Sequence, residues 1–310
     1  MKTCAQLLNE FTGTGENPRK LTFTGVGDND VYNISAPFKQ GDDLIIAGRV
    51  EARDSEHSQI IFFTPQDGHW VPKDGAPTLM LQDPFFTFIG EELVLGGVEI
   101  YPHPENPDAL AWRTVFYKGG DIYSLEVFFK GPDGMKDLRI AELADKRIAV
   151  VTRPQGEKGG RGKIGYASIN DLSELTLDVI HQAPLLEGQF IDEEWGGANE
   201  LHVLKNGQLG VLGHIASFSE GDVRHYYPMV FVIDPETGAH SEIQLIATRS
   251  QFLPGSSKRP DLIDVVFSGG LVRNEDKTAD LYAGISDAEA HVITIVDPFL
   301  KYENESVDFV

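Results

Sequence analysis

The segment Thr152-Arg-Pro-Gln-Gly-Glu-Lys-Gly-Gly-Arg-Gly-Lys-Ile-Gly-Tyr166 gathers cations and glycines in a chain that is otherwise strongly acidic. Between Lys146 and Lys163 stand six Lys or Arg and one acid, Glu157, whereas the 310-residue chain carries a formal net charge of -22. Guanidinium forks and bare glycine amides are groups that hold a small anion such as phosphate. The segment nevertheless fails two nucleotide-loop tests. Gly160-Arg-Gly-Lys-Ile-Gly165 has GxGxxG spacing, but a dinucleotide loop must open a helix, and Ile164 to Ile169 reads as a strand. No Ser or Thr follows Lys163, and Glu157 stands where a P-loop needs glycine. The glycines read equally well as a hairpin tip. Arg153, closing a strand beside Pro154, is the better anion ligand, with Lys158, Arg161 and Lys163 as outer contacts.

Other reactive side chains cluster at the ends of apolar runs. Arg49, Glu51 and Arg53 share one face by strand alternation, which suits either the mouth of a hydroxyl-binding site or a surface ladder of ion pairs. Asp83 lies between apolar runs and before Pro84, where a turn start is the competing reading, as at Asp234-Pro and Asp297-Pro. In Glu193-Glu-Trp-Gly-Gly-Ala-Asn-Glu200, Trp195 offers a flat face for sugar C–H groups, and Asn199 and Glu200 offer hydroxyl hydrogen bonds. His214 ends another apolar run, and Asp287 with Glu289 follows Tyr282-Ala-Gly-Ile-Ser. The nine histidines show no metal-ligand spacing, so no metal and no cofactor are expected. The single cysteine excludes a disulfide framework and a cysteine zinc site, and no GxSxG elbow occurs.

These groups must be positioned by strands. Short β-branched runs, such as 44–50, 59–64, 91–98, 122–129, 148–152, 164–169 and 209–215, alternate with turn residues from end to end. Helical periodicity is confined to Ala5 to Phe11 and a turn at 169–172. That excludes a doubly wound sheet and leaves a sandwich, a barrel or a propeller. Five units, near 31–82, 83–132, 133–190, 191–250 and 260–300, each suit a four-stranded blade. The expectation is an all-β chain, a five-bladed β-propeller, as a single domain over 1–310, its N-terminal segment completing the last blade. At 41% hydrophobic residues the chain can bury a substantial core. Its acidity disfavours nucleic acid and anionic membranes as partners. The absence of a signal-like or membrane-spanning run points to a cytoplasmic protein, with an oligomer left open.

Taken in order, the motifs resemble the five-bladed propellers related to glycoside hydrolase family 130, the inverting β-mannoside phosphorylases. They are most similar to the mannosyltransferase-phosphorylase family, glycosyltransferase family 108. Tyr32-Asn-Ile-Ser-Ala-Pro-Phe38 and Ala47-Gly-Arg-Val-Glu-Ala-Arg-Asp-Ser-Glu-His-Ser58 carry the resemblance most specifically. Gln82-Asp-Pro, Lys136-Asp-Leu-Arg139, Thr152-Arg-Pro, Glu194 to Glu200, Gly213-His214 and Val265 to Asp287 follow in order. The resemblance implies that Asp83 is the proton donor, acting through a sugar hydroxyl. It makes Arg153 a phosphate ligand, with Arg139 and Lys136 as further candidates. Arg49, Asn199, His214 and Asp287 would line the sugar pocket, joined by Asn33, Asp54, Ser58, Trp195 and Glu200. Phe85 departs from the pattern, because the phosphorylases usually have Arg directly after Asp-Pro.

An inverting phosphorolysis needs one general acid and a cationic site for phosphate, which is itself the nucleophile. An inverting hydrolase needs a second carboxylate about 6.5–9.5 Å from the first, for which Glu200, Asp137 and Asp287 are available. The expected activity is therefore phosphorolysis or transfer of β-mannosides using phosphate or mannose 1-phosphate. An inverting glycoside hydrolase and a catalytically silent sugar-binding propeller are the alternatives.

Overall fold

Leu209 to Ala216 are buried at every position, not at alternate ones. A strand reads this way when apolar layers cover both of its faces, and this condition recurs throughout the chain. The computed structural model describes residues 1–309. The chain is all-β apart from short helices. A capping box at Thr3 opens α1 (Cys4–Glu10), and β1 (Glu16–Lys20) follows. The first strand group is β2 (Asp30–Tyr32), β3 (Phe38–Gln40), β4 (Asp43–Glu51), β5 (Gln59–Gln66) and β6 (His69–Pro72). The second is β7 (Gln82–Ile89), β8 (Glu92–His103), β9 (Asn106–Gly119) and β10 (Glu126–Lys130). The third has three strands, β11 (Arg139–Glu142), β12 (Ile148–Thr152) and β13 (Gly165–Ile169), with helices α2 (Gly156–Gly159) and α3 (Leu177–Gln182). The fourth is β14 (Trp195–Val203), β15 (Leu209–Phe218), β16 (Arg224–Ile233) and β17 (Gln244–Leu245). The last is β18 (Asp264–Arg273), β19 (Thr278–Ile285) and β20 (Glu289–Val296), with α4 (Leu300–Asn304) after it.

Within each group neighbouring strands run antiparallel. The fourth and fifth groups join into one eight-stranded sheet through a short parallel pairing of β16 with β18, and β1 adds to β20 at its edge. Five apolar layers link the groups in sequence. Leu93, Leu95 and Val115 pack on Ile45, Ala47 and Phe62. Ile140, Ile148 and Val150 pack on Phe85, Val94 and Phe116. Val211, Met229 and Phe231 pack on Ala149, Val151 and Ile164. Val266, Leu281 and Ile293 pack on Leu212, Val230 and Val232. The fifth layer returns to the start, joining Ala290 and Tyr282 to Val31, Ile46 and Phe63.

Two local expectations change. Residues 122–125 form a turn, because the Asp121 carboxylate accepts from the Tyr123 and Ser124 amides and from the Ser124 hydroxyl. Among the described residues the third group has no fourth strand. Helix α3, capped by Thr176, instead places Ile180 in the layer shared with Leu175. Among those same residues no helix is long and apolar enough to cross a membrane.

Candidate active site

Four residues that line one cavity share an uncommon backbone conformation. Asn33, Asp83, Asp137 and Asp287 have φ of 44°, 48°, 59° and 50°. Left-handed backbone costs an L-residue on the order of 1–3 kcal/mol, least for Asn and Asp, and such residues concentrate at functional sites. Each lies at a strand end or bulge: Asn33 after β2, Asp83 at a bulge in β7, Asp137 before β11, and Asp287 between β19 and β20. The cavity measures about 320 Å³, and Arg49, Lys136, Arg153 and His214 complete its inner wall. Glu56, Arg224, Tyr226 and Arg259 also line it. A larger groove of about 590 Å³ lies between α1, β17 and α4, but its lining includes Lys2, already paired with Glu10 and Glu242.

Asp83 is the most constrained carboxylate in the cavity. Arg49 Nη1 donates to its Oδ1 at 2.9 Å and Asn33 Nδ2 to the same oxygen at 2.8 Å. Burial alone raises its pKa, but Arg49, Lys136 and the two hydrogen bonds outweigh this and hold it below the usual carboxylate range. Arg49 is itself fixed from behind. Its Nη2 meets Glu51 Oε2 at 2.7 Å, its Nε donates to Ser58 Oγ at 2.9 Å, and its guanidinium lies 4.8 Å from the Tyr32 ring centre. Lys258, from the loop between the fourth and fifth groups, reaches across to Glu51 and, at 3.0 Å, to Glu56. Burial opposes the charge of Arg49, yet Asp83 and its other neighbours leave its pKa raised. Asp287 differs. Burial and the nearby Asp83 charge outweigh Arg49, so its pKa is raised and its neutral form favoured.

Arg153 stands at the base of the glycine-rich loop and is 2% exposed. Its Nε donates to Gly196 O at 2.9 Å and lies 3.5 Å from Asp137 Oδ2, while its Nη1 finds no acceptor among the described residues. A buried N–H without a partner is rare, and here it belongs to a cavity wall. Gly162 makes this placement sterically feasible: its φ is 141°, and a Cβ there would lie 2.6 Å from the Arg153 guanidinium. His214 completes this side. Since Asn199 Oδ1 can only accept, His214 Nδ1 must carry the proton in their 2.9 Å contact, leaving Nε2 as an acceptor, 3.9 Å from Asp137 Oδ2. Burial and then the nearby cations, against Asp137, push the His214 pKa down to about 4. Asp137 moves below its usual range, because Arg153, His214 and Arg139 outweigh its burial.

Asn33, Arg49, Asp83, Lys136, Arg153, His214 and Asp287 thus converge. Six other sequence candidates do not line the cavity. Trp195 is buried in an aromatic cluster 4.7 Å from Phe218, with its Nε1 donating to Tyr226 OH at 3.2 Å, so its face is not free for a sugar. Asn199 and Ser58 stand behind His214 and Arg49 as their hydrogen-bond partners. Glu200 turns to His202 Nε2 and the Leu271 amide, both at 2.7 Å. Asp54 is exposed on a turn. Arg139 is buried beneath the site, 3.6 Å from the Phe85 ring centre, with its Nε donating to Asn199 O at 2.7 Å. Desolvation brings the Arg139 pKa down to about 10.

Phe85 itself faces the core, edge-on to Phe116 at 5.5 Å, so the departure after Asp-Pro does not alter the cavity wall. Arg53 leaves the expected charged face and pairs with Asp30. In the loop, Lys158 is held by the His181 and Ala183 carbonyls and Lys163 by Asp192 at 3.3 Å. Arg161 lies over Phe218, 5.4 Å from its ring centre. Arg224, Tyr226 and Arg259 escaped sequence reasoning because only the fold brings them to the cavity; their one signal was alternation along Arg224-His-Tyr226.

The chain matches the family model described as "Protein of unknown function (DUF1861)" over residues 11–301. No curated protein sequence matches. Among solved structures, it is similar to MPT-4, a mannose phosphorylase from Leishmania mexicana in complex with phosphate ion. The two are 32% identical, with 99% of this chain and 95% of that chain covered and a TM-score of 0.88. MPT-1, a GDP-Man-dependent mannosyltransferase from Leishmania mexicana, is 28% identical over 99% of this chain and 97% of that one, with a TM-score of 0.87. A β-1,2-mannobiose phosphorylase from Listeria innocua shares the fold at 14% identity, covering 93% of each chain, with a TM-score of 0.63.

Proposed function

The chain belongs to the DUF1861 family, and with it to the mannose phosphorylase and mannosyltransferase family of the two Leishmania mexicana proteins; it is an enzyme of the glycoside phosphorylase and glycosyltransferase class, and from that premise we propose that it interconverts β-mannosides and mannose 1-phosphate with inversion. The observation that carries the reading is the pairing, across one cavity, of an ionised Asp83 with the unpartnered Nη1 of Arg153. MPT-4 was solved with a phosphate ion, and Arg153 with Lys136 are the cations suited to hold one here.

In the direction of transfer, the mannose 1-phosphate phosphate group rests against Arg153 and Lys136. Asp83, already a carboxylate, accepts the acceptor hydroxyl proton, directly or through a sugar hydroxyl, as that oxygen attacks C1. Phosphate leaves from the opposite face. Phosphorolysis reverses each step, with protonated Asp83 as the acid. Asn33 Oδ1, buried and without a partner among the described residues, is suited to accept from a sugar hydroxyl. We read the five strand groups, with their apolar layers returning to the start, as five blades of one propeller domain, its cavity at the inner strand ends. The inner strands β4, β7, β11, β14 and β18 touch in succession, which supports this.

Incubation with mannose 1-phosphate and mannose should release free phosphate in step with oligomer formation. No phosphate release with any mannoside acceptor would overturn the reading. A second reading, an inverting hydrolase, draws on Asp137 and Asp287 standing in the same cavity as Asp83. Its signature is cleavage of oligomers without phosphate.

A further inference from the structure

A second reactive constellation lies on the other face of β16. Strand alternation turns Arg224 and Tyr226 toward the cavity, and His225 and Tyr227 away from it. The parallel pairing of β16 with β18 sets His225 opposite Asp264. His225 Nδ1 lies 2.6 Å from Asp264 Oδ2, and His225 Nε2 lies 2.9 Å from Ser219 Oγ. The Tyr227 hydroxyl donates to the same Asp264 oxygen at 2.6 Å, fixing the carboxylate from a second side.

The bonding order assigns the tautomer. Asp264 accepts, so the His225 proton sits on Nδ1, and Nε2 is left to accept the Ser219 hydroxyl proton. Burial and the bond to Asp264 raise the Tyr227 pKa, so it stays a phenol and a donor. Ser219 is exposed, and its position at the start of a short 3₁₀ turn would ordinarily direct its hydroxyl to a backbone amide. It makes no such cap and turns to His225 instead. Nucleophile, base and orienting carboxylate therefore stand in the order of a serine hydrolase triad, which geometry and roles define rather than sequence position.

We propose that Ser219, His225 and Asp264 form a second catalytic centre, one that hydrolyses short-chain carboxylic esters. Ser219 Oγ attacks the acyl carbon as His225 Nε2 takes its proton. The C–O bond to the alcohol breaks, and the alcohol leaves with that proton. Water, activated by the same nitrogen, then cleaves the acyl-serine and releases the carboxylic acid. The exposed setting favours small acyl groups. Oxyanion donors are typically worth about 10²–10³ in rate, and at an open surface water largely replaces them, so a slow esterase is expected. The proposal does not rest on the mannoside reading.

The full-length protein should be treated with a fluorophosphonate reagent and the modified residue identified by peptide mass mapping, in parallel with p-nitrophenyl acetate hydrolysis. We expect stoichiometric labelling at Ser219, no labelling there in Ser219→Ala, and labelling slowed at least about 100-fold in His225→Ala and Asp264→Asn. Ser219→Ala lies on an exposed turn and should keep the wild-type melting temperature and phosphate release from mannose 1-phosphate. Absence of labelling at Ser219, or labelling there that proceeds equally without His225, overturns the proposal. Ester hydrolysis undiminished in Ser219→Ala overturns it as well.

Discussion

Arg49 Nη1 and Asp83 Oδ1 stand 2.9 Å apart and join the inner strand of the first group to the inner strand of the second. Both side chains are nearly buried, at 6% and 11% exposure, so the charge on each depends on the other. In the proposed reaction the pair sets how much Asp83 favours accepting a proton over donating one.

Asp83→Asn keeps the volume and the contact with Arg49 but cannot take or give the proton. Turnover of mannose 1-phosphate should fall by about 10²–10⁴, with the circular dichroism spectrum unchanged. Full turnover in this variant would exclude Asp83 as the acid or base.

Arg49→Met leaves Asp83 without its paired cation and Glu51 with Lys258 alone. Breaking a buried ion pair from one side typically costs about 3–5 kcal/mol, to be read from urea unfolding. Arg49→Met combined with Asp83→Asn should recover part of that loss, because the second change removes the uncompensated charge.

Gly162→Ala should act on phosphate at a distance. The added methyl meets the Arg153 guanidinium at 2.6 Å, so the arginine must shift. KM for phosphate in phosphorolysis should rise at least about tenfold, approaching the effect of Arg153→Ala, if the guanidinium is worth one charge-assisted bond of about 1.5–3 kcal/mol. An unchanged phosphate KM in both variants would remove Arg153 from the phosphate site.

His214 links stability to pH. Its pKa is pushed down to about 4 in the folded chain, against an unfolded value near 6.5, so between these values the unfolded chain binds more protons. Folding stability from this group is intact above about pH 6.5 and declines as pH falls toward 4, by on the order of 3 kcal/mol in total. His214→Gln should flatten the unfolding free energy over that window. Asp287 has the opposite sign, because its pKa is raised by burial and by Asp83. Its contribution is fully present below the unfolded value and lost as pH rises through the folded one. Asp287→Asn should therefore raise the melting temperature at pH 7 and not below about pH 4.

Phe85→Ala tests whether the residue after Asp-Pro shapes the core or the cavity. Phe85 packs on Phe116 and beneath Arg139, so its loss should cost about 3–5 kcal/mol in stability. Acceptor preference should stay as it was, measured with a panel of mannosides.

The glycine-rich basic segment contains both the legible and the illegible. Its failure as a nucleotide loop, the strands on either side and the promise of Arg153 followed from local chemistry: turn residues, β-branched runs and a guanidinium beside Pro154 are short-range signals. The all-β character was legible for the same reason, since alternation and turn punctuation act within a few residues. Local chemistry did not say that Gly162 serves to make room for Arg153, that Lys158 and Lys163 turn to protein partners, or that Trp195 is enclosed by Phe218 and Tyr226. Those outcomes depend on contacts between groups far apart in sequence, such as Arg153 with Gly196 or Arg49 with Asp83. So do the charge states. Asp83 and Asp287 are the same amino acid, both desolvated and both near Arg49. Only tertiary packing gives Asp83 its hydrogen bonds from Arg49 and Asn33 and sets Asp287 beside the Asp83 charge, which pushes their pKa values in opposite directions.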